Sequence, residues 1–299
     1  MLNQDFSFKE FLYLVRRDDY SKYFKSENGS DMKDILLRQL EENINIEKHD
    51  FTAIKMTNIN NNSVYMLEKI CHDKSNLLKV LTDDFILRKI NRNFKRIYGV
   101  KQADRFKIIK TVKNLLSENF PFFVCKADIH QFYESINRNE ILKNIEDSSL
   151  LSYETKYLIK KFFSTFETSG LLRGINISAT LSEYYMRNFD KNVRKIDDIF
   201  FYARYVDDII IFSTEDGARK IFEKLPKLLP SGLLFNNQKT QKINFANGGK
   251  IQFLGYEFEK INKTLKTRIS PHKIKKNSRT FNQIIFVILP KSRFYALER

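Results

Sequence analysis

The chain has 299 residues with a formal net charge of +16, and its hydrophobic content of 42% and aromatic content of 14% exclude a disordered protein. No apolar run approaches the length that spans a bilayer, and the first residues lack the basic and apolar segments of a secretory signal. Cys71 and Cys125 stand outside any CxxC or histidine cluster, which argues against a disulfide framework or a zinc site. We therefore expect a cytoplasmic protein with free thiols and no membrane partner.

The basic charge is unevenly distributed along the chain. Residues 1–84 contain 12 Lys and Arg against 15 Asp and Glu, whereas residues 85–299 contain 40 against 21. This excess indicates a partner with dense negative charge. Nucleic acid fits better than a membrane surface, because no long basic amphipathic segment is evident.

The first third of the sequence has the apolar spacing of helices. Residues 5–57 predict a helical N-terminal extension, which we bound at residues 1–84, with a loop at 58–63 and a further helix at 64–81. A basic block follows at residues 85–116, where residues 96–100 predict a hairpin and residues 104–118 a helix. One side of this block either presents Lys and Arg to phosphates or is a solvated basic face.

The middle of the chain alternates a strand, helices and a glycine-bounded loop. An apolar strand is predicted to end at Asp128, and residues 140–166 have helical spacing. The loop at residues 168–178 contains Gly170 and Gly174, which would let the backbone approach a flat ligand. A helix is predicted to run from this loop to about residue 195.

Two adjacent carboxylates interrupt an apolar segment at residues 201–212. Its aromatic and β-branched residues predict two short strands, with Asp207 and Asp208 in the tight turn between them. Neighbouring strand residues point to opposite faces, so both carboxylates cannot be core residues, and burying the ionised pair without a cation would be costly. An exposed Asp-Asp turn is the simpler alternative.

The last part of the chain continues with a helix, two strands and a basic tail. The helix is predicted at residues 215–225 and ends at Pro226, and the strands are predicted at 233–240, with a turn that contains Lys239, and at 251–258. Residues 260–279 carry eight Lys and Arg and no acid. The order of these elements is more informative than any single motif.

Together these motifs resemble the palm of the reverse transcriptase family. Asp128 begins a D-x-x-x-[FY]-[FY] pattern, residues 205–208 match Y-x-D-D, and Leu254-Gly255-Tyr256 matches the primer-grip turn. The resemblance covers residues from about 85 to 275 and implies an α+β right-hand polymerase. Fingers and a palm, with an antiparallel sheet backed by helices, would occupy residues 85–259, and a short or incomplete basic thumb would occupy residues 260–299.

The resemblance implies an RNA-directed DNA polymerase that adds dNTPs to a primer with two Mg²⁺ ions, or with Mn²⁺ in their place. Phosphodiester synthesis uses two divalent ions, and oxygen ligands suit them. The catalytic and metal-binding residues would be Asp128, Asp207 and Asp208, with the backbone carbonyl of Ile129 as a further ligand and Lys239 as the general acid toward pyrophosphate. The ring of Tyr133 would obstruct the 2′-hydroxyl of a ribonucleotide and so favour deoxynucleotides. The dNTP contacts would be Lys89, Arg96, Arg105, Tyr133 and Arg173, and the primer grip would be Leu254, Gly255 and Tyr256.

The glycine loop departs from the family pattern. The usual G-x-P-Q-G followed by Asn is here Gly170-Leu171-Leu172-Arg173-Gly174 followed by Glu183, so nucleotide selection and dependence on a template stay open. The retron signatures N-A-x-x-H and V-T-G are not found. The helical N terminus and the Asp128 motif are most similar to bacterial abortive-infection and other defence-associated reverse transcriptases, which implies antiphage defence, an RNA template such as a dedicated non-coding RNA, and a DNA product. The alternatives are a template-independent or protein-primed polymerase, a retron-type enzyme, and a catalytically silent RNA-binding scaffold.

Overall fold

The computed structural model of the chain describes residues 3–24, 29–44, 46–59, 62–70, 73–118, 120, 122–245, 248–262 and 264–271. Its elements in chain order are α1 (Phe8–Leu12), α2 (Arg17–Lys22), α3 (Gly29–Asn43), β1 (Ile54–Ile59), β2 (Asn62–Leu67), α4 (Lys74–Tyr98), α5 (Arg105–Ser117), β3 (Phe123–Asp128), α6 (Phe132–Ser135), α7 (Arg138–Glu146), α8 (Tyr153–Ser164), α9 (Asn176–Val193), β4 (Ile199–Tyr205), β5 (Asp208–Ser213), α10 (Glu215–Leu228), β6 (Gln241–Asn244), β7 (Gly249–Phe253), β8 (Tyr256–Ile261) and β9 (Thr264–Ile269). No helix in the described ranges combines the length and apolar character that a membrane crossing needs.

The chain divides into two compact units. The first unit takes Met1–Gln102, Ile129–Asn192 and Leu228–Leu234, and the second unit takes Ala103–Asp128, Val193–Lys227 and Phe235–Arg299. Each unit therefore draws on several separate stretches of the chain.

The first unit is built around the long helix α4. Asp73 caps its first turn by accepting hydrogen bonds from the backbone N–H groups of Ser75 and Asn76, and Gly99 ends the helix with a φ of 63°. The helix contacts α1, α3, α8 and β2 of the same unit. Its buried side chains include Val80, Phe85, Ile90 and Phe94.

Buried ion pairs join α4 to the N-terminal helices of the first unit. Arg88 donates to both carboxylate oxygens of Asp19, at 2.6 and 2.8 Å, and to those of Asp84, at 2.7 and 3.0 Å. Lys89 is fully buried, and its Nζ lies 2.6 Å from Oε2 of Glu10. Burial by itself would raise the pKa of Asp84, but Arg88, Tyr23 and Lys22 together outweigh it, and the pKa lies below its ordinary value.

The second unit contains two antiparallel sheets. The four-stranded sheet has the order β4-β5-β3-β6, and the three-stranded sheet has the order β7-β8-β9. Val124 of β3 and Phe212 of β5 are Cα partners and belong to the apolar core, whereas their neighbours Cys125 and Ile211 lie on the other face of the sheet. That core also contains, from α5 and β8, the side chains of Ile108, Val112, Leu116 and Phe258.

Most of the predicted elements are confirmed. The helix predicted at residues 104–118 is α5, the helical residues 140–166 form α7 and α8, and the helix after the glycine loop is α9. The strand that ends at Asp128 is β3, and the carboxylate hairpin is β4 and β5. Helix α10 runs on to Leu228, because Pro226 lies in its last turn and removes only one helical hydrogen bond.

Four segments differ from the predictions. The strands β1 (Ile54–Ile59) and β2 (Asn62–Leu67) lie where a loop at 58–63 and the start of a helix at 64–81 were expected; the burial of Tyr65 beside the exposed Met66 has the period of a strand. Residues 96–98 continue α4, because the left-handed residue that ends the helix is Gly99. The strand expected at residues 251–258 is divided into β7 and β8, and the strand expected at 233–240 is mainly a turn that precedes β6.

The predicted thumb-like tail is described only as far as residue 271. Within it, β9 pairs with β8 and completes the three-stranded sheet. The rest of the tail, and the predicted free thiol of Cys71, lie outside the described residues. Cys125 is a buried free thiol, as predicted, and burial raises its pKa to about 12.

Replacing Arg88 with methionine should destabilise the protein, because Asp19 would stay buried without Arg88 and Asp84 would keep only its ion pair with Lys22, at 3.3 Å. We expect a loss of about 3–5 kcal/mol in the free energy of unfolding, measured by urea denaturation. The control Arg219→Met removes an exposed ion pair with Glu215 on α10 and should cost less than about 1 kcal/mol. Equal effects of the two substitutions would contradict the structural role of the Arg88 ion pairs.

Candidate active site

Asp128 is the last residue of β3, which lies between β5 and β6 in the four-stranded sheet. The strand register sets it opposite Asp208, the first residue of β5. Because side chains alternate along a strand, both carboxylates lie on the same face as Lys126, Val124 and Phe212. One face of the sheet is therefore apolar at one end and acidic at the other.

The predicted turn between β4 and β5 consists of two residues. Tyr205 and Asp208 are Cα partners, so Val206 and Asp207 connect the strands. Val206 has a φ of 60°, which is rare for a β-branched residue. The buried Arg204 donates a hydrogen bond to the carbonyl oxygen of Val206 at 3.0 Å and so supports this conformation. Sequence analysis missed Arg204, because nothing in an apolar strand marks its contact with the turn.

Negative charge at this end of the sheet exceeds what its neighbours neutralise. Burial and the charge of Asp207 raise the pKa of Asp208 to about 6, and Asp128 adds to the shift. Lys126 and Lys239 act in the opposite direction without cancelling it. The two lysines therefore offset only part of the repulsion among these carboxylates.

Lys239 forms an ion pair with Asp128. Its Nζ is 3.1 Å from Oδ1 and 3.4 Å from Oδ2 of Asp128. The turn that carries Lys239 is tied to the same strand end, because the backbone N–H of Asn236 donates to the carbonyl oxygen of Asp128 at 2.8 Å and that of Lys239 to the carbonyl oxygen of Asn236 at 3.1 Å. The structure thus brings together the predicted catalytic residues Asp128, Asp208 and Lys239, with Asp207 in the adjoining turn.

The carboxylates fit divalent cations by residue type and by charge, since oxygen donors and an excess of negative charge favour Mg²⁺ and Mn²⁺. In the described residues, no three or more His, Cys, Asp or Glu side chains are gathered closely enough to hold a metal ion by themselves. Mg²⁺ is usually held by one or two carboxylates together with substrate phosphates, so such a cage is not required. Ile129, whose carbonyl was the predicted further ligand, directly follows Asp128 and has a buried side chain.

The predicted primer grip is a two-residue hairpin turn in the second unit. Phe253 and Tyr256 are Cα partners, and the connecting residues Leu254 and Gly255 have φ of 47° and 75°. Positive φ at both positions is typical of the type I′ turn that suits hairpins. Arg105, a predicted dNTP contact, donates a hydrogen bond to the carbonyl oxygen of Leu254. The structure thus brings Arg105 to the primer-grip turn.

Gly170, at one end of the glycine loop, lies against the backbone of α6 in the first unit. A Cβ atom at this position would lie 2.3 Å from the carbonyl oxygens of Tyr133 and Glu134. The backbone N–H of Leu171 donates to the carbonyl oxygen of Tyr133 at 2.7 Å, which fixes this approach. Only glycine fits here without moving the backbone.

Gly174, at the other end of the loop, lies against β2. Its φ is 94°, and a Cβ atom would lie 2.5 Å from the carbonyl oxygen of Tyr65. The backbone N–H of Tyr65 donates to the carbonyl oxygen of Arg173 at 2.8 Å. The close approach that we predicted for a flat ligand is therefore made, at both glycines, by protein backbone.

Arg173 forms a bidentate ion pair with Glu134. Its Nη2 lies 2.9 Å from Oε2, and its Nε donates to Oε1. Burial by itself would raise the pKa of Glu134, but Arg173 lowers it below its ordinary value. The guanidinium also lies 5.9 Å from the centre of the Tyr133 ring. The structure brings Tyr133 and Arg173 together and adds Glu134, which sequence analysis missed although it follows Tyr133 directly.

Two predicted dNTP contacts lie on α4. Lys89 has no exposed surface, because it pairs with Glu10 and also donates to the carbonyl oxygen of Asn3 at 3.1 Å. A fully buried ammonium does not reach a triphosphate, so the prediction for Lys89 is wrong. Buried lysines are rare, and the sequence did not mark its partner 79 residues away. Arg96 is exposed near the end of the helix.

The family model of reverse transcriptase (RNA-dependent DNA polymerase) matches residues 46–258, more than two thirds of the chain. Comparison with curated protein sequences gives no match. Among solved structures, apo telomerase from Candida tropicalis has a TM-score of 0.51 and 18% identity, over 73% of this chain and 49% of that one. Telomerase from Candida albicans with the TWJ fragment of telomeric RNA has a TM-score of 0.49 and 14% identity, over 81% and 52%. The first of these likenesses supports the fold, and our chain spans about half the length of both structures.

Replacing Asp207 with asparagine should lower the pKa of Asp208 toward its ordinary value, because a neighbouring negative charge is lost while burial remains. Carboxyl-carbon NMR of the metal-free protein measures this pKa. In the wild-type protein Asp208 is protonated below about pH 6, so the affinity for Mn²⁺ should decrease as the pH falls through that value. Asp216→Asn, on the exposed side of α10, is the control and should leave the Asp208 pKa unchanged. A pKa that does not respond to Asp207→Asn would disprove the coupling.

Proposed function

Because the chain belongs to the reverse transcriptase (RNA-dependent DNA polymerase) family, we propose that it extends a nucleic-acid primer with dNTPs, using Asp128, Asp207 and Asp208 to hold two Mg²⁺ ions. The register of β3 and β5, with Asp128 opposite Asp208 beside the turn of Asp207, is the observation that carries this proposal. Mn²⁺ would bind the same oxygen ligands. When bound, the ions would neutralise phosphate charge and activate the primer hydroxyl.

The other site residues have positioning and proton-transfer roles in this proposal. Lys239 neutralises Asp128 while no divalent ion is bound and donates a proton to the leaving pyrophosphate. The ring of Tyr133 obstructs the 2′-hydroxyl of a ribonucleotide. Leu254-Gly255-Tyr256 positions the primer, and Arg105 holds this turn through the carbonyl of Leu254. Arg96 contacts the triphosphate, and the carbonyl of Ile129 adds an oxygen ligand.

The proposed template is RNA, such as a dedicated non-coding RNA, and the proposed product is DNA. The excess of basic residues after residue 85 supports a nucleic-acid partner. A role in bacterial antiphage defence, in the cytoplasm, rests on the resemblance of the Asp128 motif and the helical N terminus to abortive-infection reverse transcriptases. The proposed functional regions are the N-terminal extension at residues 1–84, the fingers and palm at 85–259, and the thumb-like tail at 260–299.

A second candidate function is template-independent synthesis. It is favoured by the ion pair of Arg173 with Glu134, since Arg173 stands where the family usually has a glutamine and its guanidinium is engaged by the protein. Sequencing the products made from each single dNTP, with and without RNA, separates the two functions. A copying enzyme makes products complementary to the RNA, whereas template-independent synthesis makes the same products in both cases.

Asp128→Asn and Asp207→Asn should each reduce dNTP incorporation by about 10³-fold or more, because each removes a charged oxygen ligand worth several kcal/mol. Incorporation on a labelled primer annealed to RNA measures the effect. Asp216→Asn should retain wild-type activity, and the thermal unfolding of all three variants should show that they are folded. Full activity of either active-site variant would disprove the metal assignment.

Lys239→Met should separate the two proposed roles of this lysine. In the absence of dNTP, Mn²⁺ should bind about 2- to 5-fold more tightly, because the competing ammonium is removed from a partly exposed ion pair. Incorporation should become about 10²- to 10⁴-fold slower, because the general acid is lost. Electron paramagnetic resonance measures free Mn²⁺.

Lys242→Met is the matched control, because it removes the same charge from a lysine that lies 5.0 Å from the Phe123 ring and outside the carboxylate site. Identical Mn²⁺ affinities of the two variants would contradict competition at Asp128.

A further inference from the structure

Helix α5 has an apolar face in the core of the second unit and a basic outer face. Ile108, Val112 and Leu116 are buried in that core. On the other side Phe106 is 72% exposed, and the exposed lysines of the helix are Lys107, Lys110 and Lys113. The helix contains no acidic residue. A large exposed aromatic ring beside lysines is not explained by the packing of the helix.

Phe106, Lys110 and Lys113 share one line along the helix surface, because they are four and three residues apart. We call this line the Phe106 face. At 1.5 Å per residue, the two lysines lie about 6 and 10.5 Å from Phe106 along the axis. Asp104 caps the helix by accepting hydrogen bonds from the backbone N–H groups of Phe106, at 2.9 Å, and Lys107, at 3.1 Å. The aromatic residue therefore projects from a fixed first turn.

The lysines of the Phe106 face differ from the basic residues of α10 in the same unit. On α10, Arg219 pairs with Glu215 at 3.1 Å and Lys220 with Asp198 at 2.6 Å, and the helix also exposes Phe222. Across the described residues, neither Lys110 nor Lys113 forms an ion pair with an acidic side chain. Two of the four basic residues of α10 are thus held by acidic side chains, whereas the charges of Lys110 and Lys113 are available to phosphates.

We propose that the Phe106 face binds single-stranded nucleic acid, with a base stacked on Phe106 and successive phosphates at Lys110 and Lys113. An exposed ring stacks on a base only when that base is not already stacked in a duplex, which favours a single strand. The inference rests on the proposed function, because it gives the polymerase a contact with unpaired template away from the carboxylate site. It assigns the partner of the outer side of α5, which the catalytic site does not use.

Fluorescence anisotropy of the full chain with labelled oligouridylate, oligothymidylate and a duplex of the same sequence tests this inference. Phe106→Ala should weaken single-strand binding by about 5- to 150-fold and should change duplex binding much less. Phe106→Trp should retain wild-type affinity, because it keeps the stacking surface. Lys110→Gln with Lys113→Gln should lower the slope of log affinity against log salt by about 1.4, since each single-strand phosphate contact contributes about 0.7.

The matched controls are on α10 of the same unit. Phe222→Ala, and Lys224→Gln with Lys227→Gln, remove an exposed ring and two charges from that helix, and they should leave single-strand affinity near that of the wild type. Equal losses from α5 and α10 variants, or no loss from the α5 variants, would overturn the inference. Polyglutamate added as a competitor should displace the oligonucleotide poorly; efficient displacement would reduce the face to a general anion site and would also overturn it.

The experiment tests the Phe106 face and the proposed polymerase function separately, because the anisotropy assay needs no dNTP. If the wild-type protein incorporates no dNTP while the α5 variants lose single-strand binding, the proposed function fails and the Phe106 face stands. If incorporation occurs and the α5 variants bind as the wild type does, the Phe106 face alone is wrong.

Discussion

Two carboxylates oppose each other at one end of the four-stranded sheet because the apolar residues of β3 and β5 fix the register of the two strands. Val124 and Phe212 pair at the other end of the same face, inside the core of the second unit. A shift of one residue would turn these side chains out of the core, so hydrophobic burial holds Asp128 against Asp208 despite their repulsion. Burial and the charge of Asp207 raise the pKa of Asp208 to about 6, and the charge of Asp128 adds to the shift. In the proposed function, bound divalent cations would relieve this repulsion.

Lysines offset part of this repulsion without abolishing it. Lys126 is fixed by the strand itself, whereas Lys239 reaches Asp128 from a turn that is hydrogen-bonded to the carbonyl oxygen of the same aspartate. The side chain of Lys239 is 59% exposed, so it can give up its position beside Asp128 to another cation while the sheet stays intact.

The strand, hairpin and helices around this site could be predicted from sequence because their apolar periods and turn residues are local signals. Contacts between residues that are distant in the sequence could not be predicted in this way. Lys89 is buried against Glu10, and Arg204 donates a hydrogen bond to the carbonyl oxygen of Val206, and neither partner has a sequence signature. The β1–β2 hairpin was missed because the polar residues around its turn obscured the period-two burial around Tyr65. Local sequence patterns thus predicted the helices and strands. The surroundings of the charged residues depend instead on side-chain pairs between distant parts of the chain.

If the chain selects nucleotides as proposed, the glycine loop limits how it can differ from its family. Gly170 is required by the backbone of α6, and Gly174 by the backbone of β2, so the loop is held on both sides by hydrogen bonds within the first unit. In the proposed function, a difference in nucleotide selection would therefore come from side chains on this backbone, such as the paired Arg173 and Glu134 beside Tyr133.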